Sequence, residues 1–432
     1  MIDLKPTALR SASIYQIFPR NYTAEGTLQA AASRLGEPAA LGFDHVYLTP
    51  VHPIGILRRK GSLGSPYAIA DYRAVDPLLG GEAGLRTFID EAHRLGLGVV
   101  MDVVYNHSSP DATLIREHPE WYWKGPDGKP GPRIADWSDV ADFDYSHKGL
   151  WDYQIATLEK WARFGADGFR CDVASLVPVD FWVEAKRRLA AVKPILWLAE
   201  SVHAAFVTEC RRRGLYAASD PELHAAFDVS YDYDGREYLE AAWRGECSLG
   251  PYLQHLALQE SLYPADAVKL RFLENHDQGR AAARFGHGAR LRNWTLFSML
   301  LPGTYMAYMG EELAMERRIG LFDREPMLAT EGDPSFRPFF AEALALSRRI
   351  KTEAPLFDAR LLAEGVVFVR RHGRGRSYTS VLNLDGRSGR LGLPAGGPLE
   401  GGPLAGRPLM GAPTEVDGGT FTLSPEPLIL EN

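Results

Sequence analysis

Four short runs of this chain end apolar, strand-like segments in ionisable side chains. They are Asp102-Val103-Val104-Tyr105-Asn106-His107, Gly168-Phe169-Arg170-Cys171-Asp172-Val173-Ala174, Leu198-Ala199-Glu200-Ser201 and Phe272-Leu273-Glu274-Asn275-His276-Asp277. A carboxylate at the end of a buried strand is costly unless something uses or pairs it. Its recurrence, in order, suggests parallel strands whose carboxyl ends empty into one shared pocket. Two of these acids sit in different settings. Arg170 stands two residues before Asp172, and strand side chains repeat with period two, so both project from one face. A guanidinium there favours the ionised carboxylate. Glu200 leaves the apolar run Ile195-Leu196-Trp197-Leu198-Ala199. Partial burial and neighbouring carboxylates raise its pKa and keep a proton available near neutrality.

The elements that must position these groups alternate along the chain. Strand patterns fall at Ser13–Phe18, His45–Thr49, Gly98–Val104, Asp167–Asp172, Ile195–Glu200, Ala225–Val229, Lys269–Leu273 and Thr304–Tyr308. Gly98–Val104 is a continuous apolar run, as expected of a strand buried on both faces. Amphipathic stretches lie between them: Leu85–Leu95, Leu150–Phe164, Phe181–Val192, Arg290–Leu301 and Phe336–Ile350. Eight strand–helix alternations predict a (β/α)8 barrel, with a doubly wound sheet as the alternative.

Two regions break the rhythm. Residues 106–148 hold turn formers such as Gly125-Pro126-Asp127-Gly128 and no good helix. This excursion after the third strand is too long for an ordinary loop, so a small subdomain over the barrel mouth is expected. After Ala354 the pattern becomes short strands (Val366–Arg371, Tyr378–Asn383, Thr420–Leu423) between Gly/Pro-rich turns. The expected division is therefore a barrel of residues 1–105 and 149–354, an insert of 106–148, and a C-terminal antiparallel β-sandwich of 355–432.

Bulk composition narrows the function class. The 432 residues are 45% hydrophobic and 24% charged, with a net charge of −7. Acids and bases are interspersed without a basic block, which argues against a nucleic-acid partner. An uncharged or cationic small substrate is easier to accommodate than a polyanion. The start, Met1-Ile2-Asp3-Leu4-Lys5-Pro6, lacks a basic patch followed by an apolar core, and no run approaches a membrane span. Cys171, Cys210 and Cys247 are odd in number and form no CxxC pair, which fits reduced thiols in a cytoplasmic protein. The sequence leaves the oligomeric state open.

The four runs resemble the four signature regions of the α-amylase family of glycoside hydrolases, the family numbered thirteen. Flanking runs share the resemblance: Ile14-Tyr15-Gln16-Ile17-Phe18-Pro19-Arg20, Val46-Tyr47-Leu48-Thr49-Pro50, Tyr67-Ala68-Ile69-Ala70-Asp71-Tyr72 and Gly303 through Glu311. Together they cover nearly the whole chain. The resemblance implies a barrel with a subdomain after its third strand and a β-sandwich behind.

It also implies roles. Asp172 is similar to the family's nucleophile, which attacks an anomeric carbon, and Glu200 to its general acid/base. Asp277 is similar to the third carboxylate, which grips sugar hydroxyls and stabilises the transition state. His107 and His276 match histidines that bond the sugar, and Tyr67 matches the tyrosine that stacks on it. Arg170 completes the set, and Asp102 is read as orienting its neighbours. Each residue has a plainer reading too: an isolated Asp is as readily a helix N-cap or an ion-pair partner, and a lone His is usually structural. Asn106 matches a ligand of a structural calcium, with Asp142 or Asp144 as the accompanying carboxylate and Asp144 taken as the candidate. Calcium-binding members usually carry His four residues after the nucleophile, where this chain has Leu176. No other cofactor is required. Trp121, Tyr122 and Trp123 could stack on further sugar units or form a local core, and Glu311 and Glu312 read as structural.

The expected activity is cleavage of α-1,4-glucosidic bonds in malto-oligosaccharides or α-glucans with retention, through a covalent glycosyl-enzyme. Three rivals stay open. A transglycosylase or isomerase would use the same carboxylates. An exo-acting α-glucosidase is suggested by Asn275-His276-Asp277-Gln278. A catalytically dead relative would have lost carboxylates that this chain retains.

Overall fold

In the computed structural model the described residues are 5–134, 137–392, 406–412, 416–417 and 420–432. The strands through residue 308 are β1 (Ser13–Ile17), β2 (His45–Leu48), β3 (Gly98–Val103), β4 (His107–Ser108), β5 (Ala141–Asp142), β6 (Gly168–Cys171), β7 (Leu196–Ala199), β8 (Val229–Tyr231), β9 (Val268–Arg271) and β10 (Thr304–Tyr308). Eight of them close a barrel in the order β1-β10-β9-β8-β7-β6-β3-β2. Neighbouring strands pair parallel, for example with Asp102 opposite Arg170 and Arg170 opposite Leu198. Apart from Gly98, every residue in these eight strands is buried, which is why β3 reads as a nearly unbroken apolar run rather than an alternating one.

One strand lies beyond its expected place. The pattern over Ala225–Val229 pointed to a strand, yet β8 begins only at Val229. The preceding residues follow a short helix, Asp220–Leu223, closed by a capping box between Ser219 and Glu222. Asp228 then uses its carboxylate to accept the Trp197 N–H at 2.9 Å and a Lys186 proton at 2.7 Å, so pairing starts after it. The polar and aromatic run Ser230-Tyr231-Asp232-Tyr233 hid the strand. The expected helices are present with ends displaced by up to four residues, as in Gly81–Arg94, Lys148–Phe164, Val179–Leu189, Ala289–Leu300 and Phe336–Glu353.

The chain forms two compact units. The first comprises Met1–Pro6, Ser13–Asp234 and Arg318–Ala329. It holds the excursion after β3, where β4 and β5 pair antiparallel with His107 opposite Asp142. No good helix was expected there, and the described residues hold short pieces: Thr113–Glu117 forms a helix of 5 residues, and Pro119–Trp121 one 3-10 turn. Pro119 keeps these pieces apart.

The second unit comprises Thr7–Ala12, Gly235–Arg317 and Thr330–Asn432. Its last part contains β11 (Leu356–Ala363), β12 (Val366–Gly373), β13 (Arg376–Asn383), β14 (Arg390–Gly392), β15 (Arg407–Met410), β16 (Val416–Asp417), β17 (Thr420–Thr422) and β18 (Leu428–Glu431). They make an antiparallel sheet ordered β11-β12-β13-β18-β15 and a second ordered β14-β17-β16. Val366, Phe368, Val381, Phe421, Leu428 and Leu430 form the core between them. Within residues 355–432, segments 393–405, 413–415 and 418–419 lie outside the described residues, as do residues 1–4 at the amino terminus. Among the described residues no helix is long and apolar enough to cross a membrane, and all three cysteines are free.

Candidate active site

In the first unit the carboxyl ends of β3, β6 and β7 bring four ionisable side chains onto one another. The strand ladders continue just past the named strands: Asp172 N–H donates to Val103 O at 2.9 Å, and Glu200 N–H to Cys171 O at 3.0 Å. Close approach of β6 to its neighbour depends on Gly168, where an added Cβ would lie 3.0 Å from Leu196 Cβ and O. Arg170 is fully buried at the centre. Its Nη1 donates to both Asp102 oxygens at 2.8 and 3.0 Å and to Asp172 Oδ1 at 3.0 Å. Its Nη2 lies 2.6 Å from Glu200 Oε1. The other Glu200 oxygen accepts the Val173 N–H at 2.8 Å. Val173 itself is held at φ 34°, a left-handed backbone that a β-branched residue rarely adopts. The strain keeps that amide aimed at Glu200.

Asp102 has two further partners that the sequence did not reveal. The Tyr47 hydroxyl donates to it at 2.6 Å and the Tyr67 hydroxyl at 3.0 Å. Tyr47 and Tyr231 are buried, and the Tyr67 and Tyr231 rings lie 5.6 and 5.7 Å from the Arg170 guanidinium. Tyr47 belongs to a strand with no charged neighbour, so the one available signal was a polar-tipped aromatic on a buried strand.

Three carboxylates around one guanidinium leave excess negative charge in a buried place. Burial lifts the Asp172 carboxyl well above the usual carboxylate range. Arg170 pulls it back, while Glu200 and Asp102 push it further up. The sequence expectation of an acid kept low by Arg170 therefore captured the weaker effect: desolvation wins.

His107 is buried on β4, and burial lowers its pKa to about 4 against a bond to the Tyr67 main chain. It is therefore neutral near pH 7. In the second unit, His276 is buried at the end of the segment leaving β9, with Nε2 3.0 Å from Asp277 Oδ2. The Asp277 side chain is 42% exposed, and its N–H donates to Asn275 Oδ1 at 2.9 Å. Glu274, which the sequence reading passed over, is buried and pairs with Arg280 at 2.6 Å. Glu311 accepts the Tyr305 hydroxyl at 2.7 Å, and Glu312 accepts the Gly310 N–H at 3.0 Å, so these acids hold the turn after β10.

Of the residues expected for calcium, Asn106 meets Asp142 and not Asp144. Asn106 and Asp142 share a hollow of about 10 Å³ with Ile134, Leu176, Cys210 and Leu215. That is room for one water-sized occupant. Asp142 Oδ1 is buried without a hydrogen-bond partner there, and burial raises the carboxyl to about 6, so it is readily protonated. Calcium needs six to eight oxygens, whereas much of this wall is a packed apolar cluster around Leu176 and Cys210. Asp144 lies elsewhere, with a half-exposed side chain that accepts the Ser146 N–H at 3.0 Å. Among the described residues no group of three or more His, Cys, Asp or Glu could hold a metal. Of the aromatics in the excursion, Tyr122 is buried against Phe143 at 4.7 Å, and Trp121 stacks on His118 at 3.7 Å.

Known proteins are similar to this chain in sequence and fold. The model of the alpha amylase catalytic domain matches residues 16–129 and 134–330. An alpha-amylase from Lactobacillus plantarum is 37% identical, with TM-score 0.91, over 99% of this chain and 100% of that one. A noncanonic maltogenic alpha-amylase from Thermotoga neapolitana is 30% identical, with TM-score 0.85, over 98% and 99% of the two chains. An alpha-1,4-glucan:maltose-1-phosphate maltosyltransferase from Arcanobacterium haemolyticum is 34% identical over 221 residues, 44% of this chain and 32% of that protein. The matched region thus spans about a third of such curated relatives. With a closed parallel barrel, buried carboxylates around Arg170 and a catalytic-domain match across most of its length, the chain belongs to the α-amylase family of glycoside hydrolases and transferases.

Proposed function

We propose that the protein cleaves α-1,4-glucosidic bonds of malto-oligosaccharides or α-glucans with retention of configuration. The supporting observation is the sharing of one guanidinium by two acids: Asp172 on Nη1 at 3.0 Å and Glu200 on Nη2 at 2.6 Å. Carboxylates on adjoining nitrogens of one fork suit the short separation of about 5–5.5 Å used by retaining glycosidases better than the 6.5–9.5 Å of inverting ones. In this reading Glu200 carries the proton and Asp172 is the ionised nucleophile. It attacks the anomeric carbon while Glu200 protonates the departing glycosidic oxygen. The covalent glycosyl-enzyme forms and the leaving sugar departs with that proton. Glu200, now ionised, removes a proton from water, whose oxygen displaces Asp172. The Val173 N–H steadies Glu200, and Asp102 anchors Arg170 beneath both acids. Asp277 and His276, at the carboxyl end of another barrel strand, are assigned to the sugar hydroxyls. Neutral His107 and Tyr67 are assigned to the same sugar.

A second reading replaces water by a sugar hydroxyl. It is favoured by the likeness to maltosyltransferases, from 29% to 34% identical in sequence. Incubation with maltoheptaose, with products followed by chromatography over time, separates the two. Shorter oligomers point to hydrolysis, glucose alone to exo action, and products longer than seven units to transfer. Asp172→Asn should lose at least about a thousandfold in rate. An Asp172→Asn variant of near-normal activity would overturn the assignment.

A further inference from the structure

Trp137, in the excursion after β3, has no part in the chemistry assigned so far, yet it borders both His107 and the surroundings of the two acids. Its ring centroid lies 5.7 Å from that of His107, with the planes 56° apart. It also packs on the apolar cluster of Leu176, Val207, Cys210 and Ala217. Val173, Val202 and Phe206 pack on that same cluster. Val173 follows Asp172 and donates its N–H to Glu200 at 2.8 Å. Val202 lies two residues beyond Glu200, just before the helix Ala204–Arg212. Trp137 still keeps part of its surface open. Trp121 and Tyr122, by contrast, pack on His118 and Phe143.

The backbone around Trp137 is held on both sides. Its N–H donates to Ile134 O at 3.1 Å, and its carbonyl accepts the Val140 N–H at 3.3 Å, which closes a turn over 137–140. Asp139 within that turn is buried and pairs with Lys60 Nζ at 2.7 Å. Lys60 belongs to the segment after β2 that also carries Tyr67. The charge of Asp139 is felt at His107, so turn and histidine are neighbours. An indole fixed in this way and partly open offers a flat apolar face to the C–H face of a pyranose, with little further ordering to be done on binding.

The acid decides which ring that is. Glu200 gives its proton to the departing oxygen, so the leaving sugar stands on the Glu200 side of the bond, beyond the ring that Asp172 attacks. Trp137 meets His107, which is assigned to the attacked ring, and shares its cluster with the segment that follows Glu200. Building on the retaining reaction proposed for this site, we propose that Trp137 is the platform for the leaving sugar and for the acceptor sugar that later takes its place. In transfer, a hydroxyl oxygen of that acceptor bonds to the anomeric carbon, the bond to Asp172 breaks, and the hydroxyl proton passes to Glu200. Trp137 orients the acceptor ring and exchanges no bond itself. It thereby raises the share of glycosyl-enzyme that passes to a sugar hydroxyl rather than to water.

Two donors tell a platform from a packing residue: maltoheptaose, whose leaving group is a sugar, and α-glucosyl fluoride, whose leaving group is not. Trp137→Leu keeps apolar bulk against the cluster and removes the flat face. It should lower kcat/KM for maltoheptaose about tenfold. Fluoride release from α-glucosyl fluoride should stay within about twofold of wild type. With glucose added as acceptor, its yield of disaccharide per fluoride released should not exceed that of wild type. Trp137→Phe, which keeps a flat ring, should recover most of the loss on maltoheptaose. Equal losses on both donors, no loss on either, or equal behaviour of Trp137→Phe and Trp137→Leu would overturn the platform and leave Trp137 a packing residue. If Trp137→Leu does not fold, Trp137→Met is read in the same way. Wild-type chain that acts on neither donor would instead overturn the retaining reaction, and the platform with it.

Discussion

Replacing Arg170 by Met separates what the guanidinium does for charge from what it does for volume. Met fills much of the same space, so the cavity left behind is small. The charge loss is large. Asp102 keeps the Tyr47 and Tyr67 hydroxyls, and Glu200 keeps the Val173 N–H. Asp172 loses its single hydrogen-bond donor among the described residues. Breaking one buried ion pair by deleting a partner costs about 3–5 kcal/mol, and here three acids lose the same partner at 2.6–3.0 Å. Urea unfolding at pH 7.5 should therefore show Arg170→Met less stable by at least about 3–5 kcal/mol. Without Arg170 the folded-state pKa values of these acids rise above the unfolded values of about 4. The penalty is then absent below pH 4 and grows as pH rises, so at pH 4 most of it should vanish. The variant should also be inactive at neutral pH, because its Asp172 holds a proton. An equal loss of stability at both pH values would refute the reasoning and make Arg170 a packing residue.

His107 and Asp142 face each other across β4 and β5 and act on stability in opposite directions. Burial lowers His107 to about 4, so it contributes stability that rises by about 3 kcal/mol as pH goes from 4 to 6.5. Burial raises Asp142 to about 6, so it withdraws a similar amount, about 3 kcal/mol, between pH 4 and 6. The two nearly cancel in the wild type. Asp142→Asn should uncover the rising His107 slope in urea midpoints taken across pH 4.5–6.5, and a flat profile would contradict it. Gly303 has φ 125°, and a Cβ there would lie 2.1 Å from Lys269 O. Gly303→Ala should cost several kcal/mol on the order of the largest single substitutions. Gly286→Ala, at φ 72° with nothing within 4 Å, should cost only about 1–2 kcal/mol for its left-handed backbone. Equal urea midpoints for the two variants would show that the close approach is unimportant.

How much of this was legible in the sequence depended on whether one strand or several elements set the geometry. Arg170 and Asp172 lie on one strand, so period two sufficed to place them side by side. Glu200 follows an adjacent strand in register, and its apolar approach gave it away. Tyr47 was missed because its partner, Asp102, comes 55 residues later in the chain, and periodicity has no reach across strands. The Asp172 pKa was misread for a related reason. A sequence shows the neighbouring cation but not the burial, and burial is the larger effect. In the C-terminal sandwich, β11 alternates exposed and half-buried residues with Asp358 and Arg360 among them, so it lacks the apolar signal of a barrel strand. The excursion after β3 was harder still, since its pieces are a few residues long and are held by single bonds such as Tyr122 hydroxyl to Ser108 at 2.9 Å. This ordering bears on function. The carboxylates proposed to break the glycosidic bond stand at the ends of barrel strands, where register fixes them and sequence reveals them. On that proposal, the loops around the rim select what reaches the glycosyl-enzyme next, water or a sugar hydroxyl. Hydrolysis and transfer therefore part at the positions where the pattern of residues says least, and only product analysis separates them.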